Sequence, residues 1–274
     1  MKNTHARVHF TIIICTFVAM NFIVIIPARY ASTRFPGKPL ATLKGKSVIQ
    51  RVYSQVAQFQ AHDSRLKAVY VATDDDRIYE HVLSFGGKAI MTRPDHQSGT
   101  DRIEEAMTHI EELGVTFDVV INVQGDEPFI QPQQIEQLCH CFDDNQTEIA
   151  TLAIPFGNSD ISNANSPKIV CDINGFALYF SRSAIPFVRG KEASEWPAAF
   201  PYLKHIGMYA YRREVLRQVT KLPQSPLELA ESLEQLRWLQ NGYKIKVAQT
   251  DIQTVGIDTP ADLERAEQFL AQWT

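Results

Sequence analysis

Cysteine is scarce in this chain, four in 274 residues, and the spacing suits neither a disulfide framework nor a four-ligand zinc site. Cys15, Cys139, Cys141 and Cys171 read as reduced thiols, Cys139-His140-Cys141 as part of a helix, and a reducing cytoplasm as the compartment. Charge of either sign is not in large excess: a net charge of -4 excludes a general affinity for nucleic acid or anionic membranes. No GxxxxGK[ST] is present and no GxGxxG follows a strand, which removes the Walker loop and the dinucleotide fingerprint. Internal repeats and low-complexity tracts are also missing. The apolar run from Val8 to Met20 follows Lys2, His5 and Arg7 and, with Phe22 to Ile26, approaches membrane-spanning length. No small-x-small cleavage site closes it convincingly, and its second half is needed as a central strand, so no stable membrane insertion is expected.

What is present is a chain that is 45% hydrophobic and long enough for one large domain with an inserted lobe. Its organising stretch is FIVIIPARYASTRFPGKPL, Phe22 to Leu40. Five apolar, mostly β-branched residues predict a fully buried first strand. The loop behind it holds Arg29, Arg34 and Lys38 among Pro27, Pro36, Gly37 and Pro39. A solvated basic loop is the plain explanation. However, ligands of open α/β sheets collect at the carboxyl ends of strands, and a stiffened cluster of cations there suits a polyanion held by side chains and loop amides.

Further along, Ser47-Val48-Ile49-Gln50 predicts a helix start, with Val48, Ile49, Val52, Val56 and Phe59 on one face. Ala68 to Thr73 reads as a strand, Asp74 as the cap of a helix to about Phe85, and Lys88 to Met91 as a short strand. A polar loop, Thr92 to Asp101, precedes a helix to Leu113, and Phe117 to Val123 is a second clearly buried strand. This alternation predicts an α/β fold with a doubly wound, mainly parallel sheet. From about Phe156 to Tyr211 shorter strands, with Asn174-Gly175 as a hairpin signal and a strand from His205 to Arg212, predict a smaller antiparallel lobe. Ser225-Pro226-Leu227-Glu228 opens a helix to about Gln240, Lys244 to Ala248 is a strand, and a last helix starts at Pro260.

Two acidic positions stand out. Asp126 and Glu127, in Asn122-Val123-Gln124-Gly125-Asp126-Glu127-Pro128, end a buried strand on the rim of the basic loop. Asp258 lies in Gly256-Ile257-Asp258-Thr259-Pro260. An ion-pair network and a helix cap would account for them, but a nucleoside triphosphate is bound as its Mg²⁺ complex, and that ion needs one or two carboxylates besides phosphate oxygens. In the second half Arg182 could take a carboxylate bidentately, His205 and Tyr209 share a strand face, and Glu234 and Gln235 are polar in a leucine-rich helix. Surface pairing, core packing and a solvated face remain open for these.

The run IPARYASTRFPGKPL resembles the signature loop of the 3-deoxy-D-manno-octulosonate (KDO) cytidylyltransferases, and the likeness continues through VQGDEP and GIDTP over most of Asn21 to Thr274. The resemblance implies a Mg²⁺-dependent transfer of CMP from CTP to KDO, activating it for lipopolysaccharide synthesis, in a cytoplasmic homodimer built through the smaller lobe. It implies that Ala28, Arg29, Ser32, Arg34 and Lys38 embrace the triphosphate, with Arg29 and Lys38 catalytic beside the metal-holding Asp126 and Asp258. Cytosine would lie near Ala72-Thr73-Asp74 and the loop Gln97 to Asp101 with Ser98; the sugar would meet Gln124, Arg182, His205, Tyr209, Glu234 and Gln235. It also implies that Met20 is the true start and residues 1–20 an extension outside the fold of 21–274. A related acid sugar, such as 8-amino-KDO or a sialic acid, and a non-catalytic nucleotide-binding subunit are the alternatives. Phe35, Phe187 and the acidic loop Val188 to Pro201 depart from the family pattern.

Overall fold

The computed structural model describes residues 20–157 and 160–272, and the expectation of an N-terminal extension falls almost wholly outside them. In chain order the elements are β1 (Phe22–Ala28), β2 (Thr42–Leu43), β3 (Lys46–Ser47), α1 (Val48–His62), β4 (Leu66–Thr73), α2 (Asp76–Ser84), β5 (Ala89–Met91), α3 (Gly99–Glu112) and β6 (Val119–Asn122). The second half adds α4 (Pro132–Cys141), β7 (Ile149–Pro155), β8 (Lys168–Cys171), β9 (Ala177–Ser181), α5 (Trp196–Ala199), β10 (Leu203–Arg212), α6 (Arg213–Val219), α7 (Pro226–Glu231), α8 (Gln235–Gln240), β11 (Ile245–Gln249) and α9 (Pro260–Gln272). The main sheet runs β11-β7-β10-β6-β1-β4-β5, with β8 joined to β10 and β9 to β8. β1 pairs parallel with β4 and β6, β4 with β5 and β7 with β11, whereas β10 is antiparallel to both β6 and β7. The expected mainly parallel α/β sheet is what forms.

β1 is central because both of its faces are apolar. Val24 and Ile26 pack with Ile49, Val52 and Val56 of α1 and Ile135 and Leu138 of α4, while Ile23 and Ile25 pack with Ile103, Met107 and Ile110 of α3. Each such side chain, fully buried, contributes about 1.5–3 kcal/mol. A third cluster, Leu43, Val48, Phe129, Ile257 and Ala266, ties the segment before α9 to the turn after β6, with the Phe129 and Phe269 rings edge to face at 4.7 Å. That cluster carries Asp258 to the rim where β1 and β6 end.

The structure differs from the sequence reading in four places. The strand placed in the smaller lobe, β10, runs through the middle of the main sheet; Met208, Tyr209, Ala210 and Tyr211 are all buried, which demands cover on both faces. β7 was not anticipated as a strand and is β10's neighbour. The single helix from Ser225 is two, because Ser232 adopts a left-handed φ of 50° between α7 and α8. Asp75, not Asp74, caps α2, accepting from the Arg77 N–H at 3.0 Å.

Candidate active site

Gly125 decides how the two halves of the site meet. A Cβ there would stand 2.6 Å from the Pro27 carbonyl oxygen, so only glycine lets the turn after β6 lie against the end of β1. The contact sets Asp126 beside the basic loop. Gly37, at φ 69°, closes that loop: its N–H donates to the Tyr30 carbonyl at 2.9 Å and its bare face receives the Tyr30 ring. The Arg77 guanidinium lies over the ring, 3.3 Å from its centroid.

A cavity of about 240 Å³ opens at this rim. Ala28, Arg29, Ser32, Arg34, Lys38, Ser98, Gln124, Asp126 and Asp258 line it, so the structure gathers these predicted residues from four separate stretches. Lys38 Nζ donates to Asp126 Oδ2 at 2.6 Å and to Asp258 Oδ1 at 3.3 Å. Arg34 forks onto both oxygens of Asp258 at 3.0 and 3.1 Å. Arg34 and Asp258 are largely exposed, so their pairing adds little stability and is readily exchanged for another partner. Against those two carboxylates stand Arg29, Arg34, Lys38 and Arg102, a surplus of positive charge that suits an anionic ligand.

Thr73 and Asp74 sit behind the wall. Thr73 is buried, its carbonyl accepting from the Thr92 N–H at 2.8 Å. Asp74 pairs with Arg102 at 3.0 Å and reaches the cavity only through that guanidinium. Arg102 and His96 line the cavity and were not singled out from sequence, although both lie in or beside the polar loop Thr92 to Asp101. His96 bonds the Glu105 carboxylate; burial raises that acid's affinity for a proton, but His96 and the Arg93 N–H more than offset it and hold its pKa below the usual range.

The residues predicted for the sugar are placed differently. Gln124 reaches from the cavity to the Gly207 carbonyl at 3.3 Å, where β10 departs from regular pairing with β7 between Ile206 and Tyr209. His205 packs on Phe180 and Tyr209, with Nε2 3.0 Å from Thr151 Oγ1. The Thr151 hydroxyl also lies 2.7 Å from the Met208 carbonyl and 3.2 Å from that of Ile206. Burial pushes the His205 imidazole down to about 3, and it is neutral. Tyr209 is buried with its hydroxyl unbonded among the described residues, as is Gln235 Nε2. Glu234 accepts from Thr100 Oγ1 at 2.9 Å, and burial raises its pKa.

Arg182 is not brought to the cavity. Its guanidinium donates to the carbonyls of Glu231 at 2.6 Å, Ala164 at 2.9 Å and Ser232 at 3.1 Å. In this structure it braces the break between α7 and α8 rather than presenting a free fork.

The family model described as cytidylyltransferase matches residues 23–245, which span this whole constellation except Asp258. The chain belongs to the cytidylyltransferase family. Among its relatives, the 3-deoxy-manno-octulosonate cytidylyltransferase of Bacteroides thetaiotaomicron is 60% identical over 255 residues, covering 92% of this chain and 98% of the relative. That of Parabacteroides distasonis is 56% identical over 257 residues, covering 92% and 99%. A solved structure of CMP:2-keto-3-deoxy-manno-octonic acid synthetase complexed with CTP superposes with a TM-score of 0.83 at 43% identity, covering 93% of this cytidylyltransferase and 100% of that chain.

Proposed function

We propose that this chain transfers CMP from CTP to KDO, giving CMP-KDO and pyrophosphate, and so activates the sugar for lipopolysaccharide synthesis. The observation that carries the chemistry is the Lys38 ammonium bonded to both Asp126 and Asp258 at the mouth of a cation-rich cavity. Two acids 132 positions apart in sequence converge on one positive charge, and the relatives that share most of this chain bear the name of that transferase.

Arg29, Ser32 and Arg34 hold the β- and γ-phosphates, and Lys38 leaves the two aspartates for phosphate oxygen when CTP enters. Arg102 and Ser98, on the far wall, face the nucleoside end, with Thr73 and Asp74 setting the guanidinium from behind. The anomeric hydroxyl of the acceptor attacks the α-phosphorus in line, the bond to pyrophosphate breaks, and the departing charge falls to Arg29 and Lys38. Gln124, His205, Tyr209, Glu234 and Gln235 orient the sugar hydroxyls.

Asp126 and Asp258 also fit magnesium. They are hard oxygen donors already sharing one cation, the Lys38 ammonium. Mg²⁺ held there supplies charge neutralisation to the phosphates. The chain is further read as a cytoplasmic homodimer meeting through the smaller lobe, where Ile173, Leu178 and Phe187 are exposed. Among the described residues no helix is long and apolar enough to cross a membrane.

The test is pyrophosphate release from CTP with KDO, 8-amino-KDO and a sialic acid, with and without EDTA. KDO should give the highest kcat/KM and EDTA should abolish release. A preference for another sugar would overturn the acceptor, and CTP binding without release from any of them would overturn the enzyme. Sedimentation equilibrium checks the dimer.

A further inference from the structure

Asp258 lies at the end of a segment, residues 251–258, that is neither helix nor strand, yet the proposed cation site needs it at a fixed distance from Asp126. Its own N–H donates to Asp262 Oδ2 at 3.1 Å, and further contacts run through the two residues before it. The Ile257 N–H donates to the Asp126 carbonyl at 2.9 Å. The backbone of Gly256 lies against the Glu127 carboxylate so closely that a Cβ there would stand 3.1 Å from Oε1. Thr254 and Gly256 share with Glu127 the wall of a second cavity at this rim. Glu127 Oε2 is sealed from solvent and bonded to nothing among the described residues. A polar head with an unbonded oxygen is expensive to bury, and an aliphatic side chain would fill the same space without that desolvation, so apolar packing alone does not explain a planar polar head here.

We propose that Glu127 is a positioning residue for Asp258: its carboxylate is the seat on which Gly256 rests, and that contact sets the gap between the two aspartates and hence the affinity for the divalent ion. The inference rests on the reading of Asp126 and Asp258 as cation ligands. It predicts that the seat must have the shape of a carboxyl group, that a Cβ on the residue laid on it presses that group aside, and that either change loosens the ion without altering the phosphate loop.

The experiment is a Mn²⁺ titration followed by electron paramagnetic resonance in the presence of CTP and without acceptor, so that no turnover occurs. Asp126→Asn comes first: loss of Mn²⁺ binding establishes the pair as the site, and retention overturns that reading and this one with it. With the site established, Glu127→Ala should weaken Mn²⁺ about 10–100-fold, the scale of losing a group that orients a metal ligand. Gly256→Ala, which keeps every carboxylate, should weaken it about 10-fold, while Glu127→Gln, which keeps the shape, should recover binding to within about threefold of wild type. CTP binding measured in EDTA should be the same in the Glu127 and Gly256 variants as in wild type. Mn²⁺ binding within twofold of wild type in both Glu127→Ala and Gly256→Ala would overturn the positioning role alone. A Glu127→Gln protein as weak as Glu127→Ala would also overturn it, because the charge and not the seat would then matter. If Glu127→Ala does not fold, Gly256→Ala decides.

Discussion

The two sides of the rim handle polar groups in opposite ways. On the side of β1 the groups are charged, half exposed and already paired with one another, as Arg34 with Asp258 and Lys38 with both aspartates. On the side of β10 and α8 they are mostly neutral, buried and in part unbonded, as the Tyr209 hydroxyl and Gln235 Nε2. Under the proposed transfer, the difference matches what each side would receive. Exposed ion pairs are worth little and exchange readily for phosphate. Buried hydrogen-bonding groups without partners are held at a cost, and a ligand rich in hydroxyls relieves it.

The largest effect should come from breaking the frame of the second side. Arg237 of α8 forks onto Glu228 of α7 at 2.8 and 2.5 Å, and both residues are buried. Glu228→Ala removes the guanidinium's bidentate partner, leaving the longer Glu234 contact at 3.8 Å, and should lower unfolding stability by about 3 kcal/mol in urea titrations. A loss under 1 kcal/mol would show that α7 and α8 are held by other means.

On the first side, Asp126→Asn should lower kcat by about 10²–10³-fold at ordinary magnesium while leaving unfolding stability nearly unchanged, since its partner Lys38 retains Asp258. Steady-state kinetics and a denaturation curve measured together check both halves of that statement. Tyr209→Phe should do the reverse of Glu228→Ala: it removes a hydroxyl that has no partner among the described residues, so stability is held or slightly raised, while the KM for the acceptor rises about 10-fold and that for CTP is unmoved. A change in the KM for CTP alone would erase the division between the two sides.

The smallest effect is a pH dependence confined to the β10 side. His205 has a folded pKa of about 3 against an ordinary value of 6.5, so unfolding takes up a proton between these values. The contribution is fully present above pH 6.5 and is lost as pH falls toward 3, by at most about 1.4 kcal/mol per unit. His205→Gln should flatten the fall in stability between pH 6 and pH 5 by about 1 kcal/mol relative to wild type. Equal slopes would mean the imidazole is solvated in the folded chain.

Much of the first side was legible in the sequence because its signals are local. Proline, glycine and cations within Pro27 to Pro39 announce a stiff basic loop wherever it sits, and a buried strand ending in Gly125-Asp126 announces an acid at a rim. The second side was less legible because its conformation depends on distant partners. Ser232 breaks a helix that the local pattern would continue, and its carbonyl is held by Arg182, 50 residues earlier. Asp74 yielded the cap of α2 to Asp75 because Arg102, on another helix, claims it. The buried run Met208 to Tyr211 of β10 demands cover on both faces but carries no mark that says which neighbours will supply it.

Residue order by itself determined that a fully apolar strand would seek the middle of a sheet and deliver a basic, proline-braced loop to one edge, because hydrophobic period and backbone restriction act over a few residues. Only the tertiary structure decided that Asp258 would come home to the same ammonium as Asp126, that β10 would run antiparallel between β6 and β7, and that Arg182 would be spent on carbonyl oxygens. Those outcomes turn on contacts between segments tens to hundreds of positions apart, such as Gly125 against Pro27 and Ile257 against Asp126, and they exist only once the chain has closed on itself.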